Sequence, residues 1–590
     1  MATGSTAVPS APGRAPALPR RPAAWAALWR VPTLAALAAL GVLAVLVVLP
    51  LAIMALASLR PAGVFPLEAG ALTLAGYAEV FGQPGTLLML RNTAIYAPGA
   101  LVIALPLAFG LAFLTERTDV PGRGLLYTLM FVPMSIPTFA AALGWVLLLG
   151  PRAGTLNVWL RYLLGLDLRE GPFNIFSLGG MIFVHALGIV PSMWLVLISV
   201  LRNLDPHLEE AAATTGASRW RTLRYVVAPL MAPGILSVLV LFTIVGIDSL
   251  ETPLALGKTA GIDVLATRVY DLIHLSTDRG FNYGPPAALG MFSLALGLGG
   301  IWLYLRLTRG AYRYTVVTGK AYRPRPVRLG RWRYAALAAV GLFLLIDVVI
   351  PLLVLVTTSF QRFYQPLVPG VQTAWTLNNY QQLLDYRFFG QYFVNTVLVA
   401  VAAATVTMLL VSFFAWQMVR WPSRLTRLVG VLTFLPLAVP GAISGLAFLL
   451  LFIGTPLYGT LALLVLAFTA RFVAYGTRLM HAAQLQVHKE LEEAALAGGV
   501  GYFGAFFLIN LRLLLPAVLN GWLWILTHAA RDFTTPLMVA SAGSLLAGNV
   551  IFGRYADGSY PVSAAMMVGL VAFNVAAVAL GRRWLVRAVS

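Results

Sequence analysis

Cysteine is missing from all 590 residues, which excludes disulfides, thiolate nucleophiles and cysteine-held metal sites. Charge is scarce as well: 11% of residues are Asp, Glu, Lys or Arg, with only 21 acidic against 41 basic. No carboxylate pair, no histidine cluster at metal-ligand spacing and no nucleophile triad can be found. No enzyme site and no metal site are therefore legible, and no cofactor is expected on this chain. The abundance lies elsewhere, in long apolar runs that make 59% of the sequence hydrophobic. Such runs predict an all-α polytopic membrane protein, because a spanning helix satisfies its own backbone groups. A net charge of +20 would suggest nucleic acid in a soluble chain. Here the arginines gather in alternate loops, the orientation signal of a membrane protein. The lipid bilayer is the expected partner and nucleic acid is not.

The chain repeats itself. Glu210-Ala211-Ala212 aligns with Glu493-Ala494-Ala495, and Gly216 with Gly499, at one offset (493 − 210 = 283; 499 − 216 = 283). Pro233 and Pro516 keep that register, as do Thr252-Pro253-Leu254 and Thr535-Pro536-Leu537. Upstream the offset is 303: Asn92-Thr93 matches Asn395-Thr396, Tyr77 matches Tyr380, and Phe131-Val132-Pro133-x-x-x-Pro137 matches Phe434-Leu435-Pro436-x-x-x-Pro440 (395 − 92; 380 − 77; 436 − 133). The offset falls because the first half has a longer loop at Gly150–Phe176. Pro50 and Ser58 also match Pro351 and Ser359, so the first apolar run reads as an uncleaved anchor despite its signal-like Ala55-Leu56-Ala57. About 12 transmembrane helices are expected, in two parallel-repeat halves of about six.

The predicted organisation has four parts. Residues 1–30, rich in Ala, Pro and Arg, form a disordered basic cytosolic tail. Residues 31–307 are the first half, with a polar loop near 205–233; residues 308–333 are a basic linker; residues 334–590 are the second half, with the matching loop near 488–516. Basic residues crowd the tail, the linker and the C-terminus, which places both termini and both polar loops in the cytosol.

Each polar loop has its own physical logic. Asp205-Pro206 is a strong helix start. Glu209 and Glu210 follow where acidic charge suits the helix dipole. Ala211 and Ala212 let another backbone come close, and Gly216 permits a turn with positive φ. Ser218 is placed to cap a second short helix carrying Arg219, Arg221 and Arg224. The product is a helix–turn–helix knob suited to a groove on another protein.

The pattern E-A-A-x-x-x-G followed by an apolar, proline-ended stretch resembles the EAA loop of permease subunits of binding-protein-dependent ABC importers. The first copy closes on Val226-Val227-Ala228-Pro229; the second reads Ile509-Asn510-Leu511-Arg512, with Arg512 where proline is expected. The resemblance covers nearly the whole chain and implies an ABC type I importer fold. It implies Glu210, Ala211, Ala212, Gly216, Glu493, Ala494, Ala495 and Gly499 as ATPase-coupling residues. It also implies two ABC ATPase subunits on the cytosolic side carrying ATP and Mg, an extracytoplasmic solute-binding protein, and the bacterial cytoplasmic (inner) membrane. Two halves fused in one chain are familiar in ferric-iron and thiamine importers. Asp248-Ser249-Leu250-Glu251-Thr252-Pro253-Leu254 and Arg531-Asp532-Phe533-Thr534-Thr535-Pro536-Leu537 look more like the ferric-iron branch. Thiamine, polyamine and phosphonate are the other substrates weighed. The alternative from another class is a secondary carrier driven by an ion gradient, which would use an intramembrane acid such as Asp347.

The remaining candidates are ionisable groups and prolines in apolar spans. Asp248 and Glu251 close the fifth span, and His528, Arg531 and Asp532 close the eleventh. Asp248 aligns with Arg531 (531 − 283 = 248), so the two outer mouths carry opposite charges. They form either an ion pair between halves or a gate that substrate passes. Pro133, Pro137, Pro436 and Pro440 are expected to kink the third and ninth spans and shape a path. His185 reads as a hydrogen-bonded interior histidine. Gly257-Lys258-Thr259 imitates a phosphate loop but lacks the leading glycine, since position 252 is threonine. Asp119-Val120-Pro121-Gly122-Arg123 is better read as a tight turn than as a carrier signature.

Overall fold

The computed structural model describes residues 23–68, 70–202, 212, 214–216, 218–278, 282–308, 327–368, 372–385 and 389–589. Most of the basic tail and linker, and Glu210 and Ala211, lie outside the described residues. Among those described, regular structure is helical apart from two isolated β-bridges. Among the described residues nine helices are long and apolar enough to cross a bilayer, and three bent pairs raise the number to 12 if each is one span. The first half holds Val31–Ser58, Pro84–Arg117, Arg123–Ser135 with Thr138–Leu149, Leu178–Arg202, Pro229–Asp248 and Gly284–Leu307. The second holds Trp332–Ser359, Gln391–Arg420, Arg424–Ala438 with Gly441–Phe452, Leu461–Gln484, Tyr502–Leu513 with Leu515–Arg531, and Tyr560–Gly581.

The duplicated residues make duplicated bonds. Tyr77 Oη donates to Ser58 Oγ at 3.1 Å, and Tyr380 Oη lies 2.6 Å from Ser359 Oγ. Asn92 Nδ2 reaches the Asp263 carbonyl (3.1 Å) while Thr93 Oγ1 accepts the Leu265 N–H (2.9 Å). Asn395 and Thr396 repeat both bonds, to the Leu545 carbonyl at 3.2 Å and the Ala547 N–H at 2.9 Å. Each half thus pins the segment after its fifth span to the head of its second. Even the irregularities recur: π-helical turns at Ala44–Val48 and Leu345–Val349 precede Pro50 and Pro351. A proline there donates no N–H and crowds the carbonyl four residues back, so the helix widens locally.

The third and ninth spans are broken, where kinks were expected, with bends of 87° and 111°. Pro133 and Pro436 sit in the 3₁₀ turns Pro133–Ser135 and Leu435–Ala438. Ile136 and Val439, each before a proline, are extended (ψ 129° and 113°), and Pro137 and Pro440 then stand at the N-caps of new helices. Two prolines four apart remove two donors and push the intervening chain out of the helical region, which a kink cannot absorb.

The buried cores do not respect the halves. One joins the second to fifth spans to the seventh and twelfth, and the other joins the eighth to eleventh to the first and sixth. The seventh span packs on Thr138–Leu149 and the first packs on Gly441–Phe452. The approach is close, because a Cβ at Gly144 would lie 2.8 Å from Pro351 Cβ. Each half therefore lends an opening span to the other.

Candidate functional site

A cavity of about 260 Å³ lies between the halves. Its walls obey the repeat: Gly188 with Arg471, Ile189 with Phe472, Val245 with His528, Asp248 with Arg531, Ser249 with Asp532, and Glu251 with Thr534 all line it, each pair 283 apart (471 − 188; 531 − 248). The cavity is therefore centred on the pseudo-two-fold axis relating the halves. Shape is duplicated there but charge is not. The first half contributes Asp248 and Glu251, the second Arg471, Arg531 and Asp532.

Asp248 and Arg531 converge on this one cavity instead of marking separate mouths, and they make no ion pair among the described residues. Asp248 Oδ1 accepts the Gly441 N–H at 2.6 Å. The Arg531 guanidinium donates to the Met134 carbonyl. Glu251 Oε1 accepts the Phe533 N–H at 3.3 Å, again across the halves, and its Oε2 is buried without a hydrogen-bond partner among the described residues. Asp532 pairs with Arg471 at 3.0 Å, and Arg471 also donates to Thr535 Oγ1 at 2.9 Å. Arg471 escaped the sequence reading although its signal was plain, an arginine in the middle of an apolar span. It lies over the backbone of Gly441, where a Cβ would run into the guanidinium. Gly441→Ala is expected to push Arg471 off Asp532, costing about 1–3 kcal/mol of overpacking. Solute uptake and thermal melting of the purified chain check this, with Thr138→Ala, at the matching site of the first half, as the tolerated control.

His185 is an interior histidine, as read: Nδ1 lies 3.4 Å from Ser249 Oγ, beside Tyr96, whose Oη is 3.1 Å from the same hydroxyl. Asp347 is 6% exposed, within the π-helical turn of the seventh span, and its Oδ2 has no hydrogen-bond partner among the described residues. Lys258 is occupied by Asp271 and, at 3.8 Å, by Asp263, so the phosphate-loop imitation is a surface ion cluster. Gly122, with φ 70°, makes the expected tight turn after Asp119.

The two polar loops share one geometry where both are described. Gly216 and Gly499 have φ of 79° and 87°, and among the described residues nothing lies within 4 Å of an added Cβ, so conformation and not space demands glycine. In the second loop Glu490–Ala497 is a helix. It ends with the Val500 N–H on the Ala495 carbonyl (3.0 Å) and the Gly499 N–H on the Leu496 carbonyl (3.1 Å). That is a Schellman closure with Gly499 as its left-handed residue. Glu493 and Ala494 are exposed, Ala495 is half-buried, and Glu493 is paired to Lys489 at 3.3 Å. In the first loop Ser218 Oγ accepts the Arg221 N–H at 3.3 Å, the expected cap.

Glu492, which the sequence reading passed over for its neighbour, is the buried anchor. Its carboxylate receives Trp416 Nε1 (2.6 Å), Arg420 Nε (2.9 Å) and Asn510 Nδ2 (2.8 Å). Arg420 also donates to the Val487 carbonyl at 2.8 Å. The loop helix is thus bolted to the end of the eighth span.

Two like halves of spanning helices, a charged cavity on their common axis and a matching positive-φ glycine in the polar loop of each half define a membrane transport subunit. The chain belongs to the family of binding-protein-dependent transport system inner membrane components, whose profile matches residues 104–369 and 408–589. It is a multi-pass ABC-importer permease with both halves in one polypeptide. It is 26% identical to the ferric transport system permease protein FbpB of Actinobacillus pleuropneumoniae, over 82% of this chain and 69% of that one. With a putative ferric transport system permease protein FbpB 1 of Haemophilus influenzae it shares 27% identity over 72% of this chain and 66% of the relative. The sulfate transport system permease protein CysT of Escherichia coli is 27% identical over 42% of this chain and 86% of its own length, the size of one half.

Proposed function

We propose that this permease carries ferric iron inward, driven by two ATPase subunits that dock on its two polar loops and fed by an extracytoplasmic solute-binding protein. The substrate reading rests on the two ferric permeases it resembles. The coupling reading rests on one observation, the positive-φ glycines Gly216 and Gly499 at matching positions of the two loops. Both loops and both termini then face the cytosol, in keeping with the arginine distribution. ATP binding would draw the ATPases together and move both knobs as rigid bodies. To switch the halves nearly completely it must favour one arrangement by about 5.5 kcal/mol.

Affinity purification from native membranes tests the proposal. An ATPase pair should co-purify with the wild type, and Gly216→Pro or Glu210→Ala should release ATPase from the first loop. Unchanged ATPase recovery in both variants would refute the coupling role. Uptake of labelled ferric iron by cells carrying the system, lost on deleting the binding protein, tests the substrate.

A further inference from the structure

Opposite charges at equivalent positions look like an ion pair, yet Asp248 and Arg531 each address backbone of the opposite half. The broken spans explain the choice. In the third span, the 3₁₀ pattern leaves the Met134 carbonyl waiting for a donor at position 137, which is proline and has none. That carbonyl closes a helical segment, where partial negative charge collects, and Arg531 of the second half donates to it. In the ninth span, Pro440 provides no side-chain cap, so Gly441 N–H opens Gly441–Phe452 unpaired and partially positive. Asp248 of the first half accepts it at 2.6 Å.

We propose that Asp248 and Arg531 form a reciprocal latch: each half reaches into the helix break of the other, with the charge sign matched to the helix end it meets. This deepens the transport reading by naming what holds the cavity shut, and it rests on the cytosolic placement of the loops. The fifth span starts at Pro229 on the loop side and ends at Asp248. Twenty residues at about 1.5 Å each put the latch roughly 30 Å away, at the outer side. Solute would pass when the two breaks separate and both caps release together.

The lack of cysteine makes the test clean. Ser192, which lines the cavity, becomes the sole thiol in a Ser192→Cys background, and a membrane-impermeant maleimide added outside reports access. Asp248→Ala and Arg531→Ala should each raise labelling roughly fivefold or more. The exchange Asp248→Arg with Arg531→Asp should raise it at least as far, because each charge then meets a helix end of its own sign. Wild-type labelling in the exchanged protein would show an ordinary ion pair and overturn the latch; unchanged labelling in both single variants would overturn it too. If the exchanged protein does not reach the membrane, the single variants decide. The readout needs neither ATPase nor solute, so it can fail independently of the importer reading.

Discussion

Glu492→Ala should detach the second polar loop from the membrane bundle and lower the chain's stability by about 3–5 kcal/mol, the cost of stranding a buried charge. The carboxylate is the common acceptor for Trp416, Arg420 and Asn510. Its removal leaves the Arg420 guanidinium, with a side chain only 12% exposed, without its counter-ion. Glu492→Gln keeps an acceptor oxygen and should lose less. Glu493→Ala is the informative neighbour. Its ion pair with Lys489 is exposed and contributes about 0–1 kcal/mol, so melting should barely move. Under the coupling proposal, Glu493→Ala weakens ATPase recovery at full stability, whereas Glu492→Ala lowers both. Melting curves and ATPase co-purification on the same preparations separate the two roles. Equal melting of both variants would show that the buried network does not anchor the loop.

Arg471→Met should abolish solute uptake. Asp248, Glu251 and Asp532 all face one cavity, and Arg471 is the partner of Asp532. Methionine matches its volume and removes its charge, leaving three carboxylates to repel one another with Arg531 turned to Met134. A loss of about 3–5 kcal/mol is expected from breaking the pair. Adding Asp532→Asn relieves the repulsion and should restore melting. If Arg471 only balances charge, uptake returns with stability; if it positions Gly441 for Asp248, uptake stays lost while melting recovers.

The parts of this architecture that rest on local chemistry were legible in the residues. Two prolines four apart marked each break, although only the structure shows a turn near a right angle in place of a kink. The recurrent Tyr77 and Tyr380, and the Asn-Thr pairs, marked positions whose bonds are now seen to be duplicated. The opposite charges at 248 and 531 were visible, but their targets were not, because a backbone carbonyl and a backbone N–H carry no sequence label. Nor was the exchange of the first and seventh spans readable. A helix face against lipid and one against protein are both apolar, so periodicity cannot say which neighbour a span will choose.

That exchange sets a clock on biosynthesis. The first span ends at Ser58 and its ninth-span neighbours begin at Arg424, 366 residues later (424 − 58 = 366). At about 5–20 residues per second of synthesis, the first span waits roughly 20–70 s for the surface it packs on. Until then the part of its inner face that meets the ninth span is covered only by lipid or by whatever attends nascent membrane chains, while the sixth span can already cover the rest. A stalled or truncated chain ending before the ninth span exposes that face permanently, which marks it for quality control.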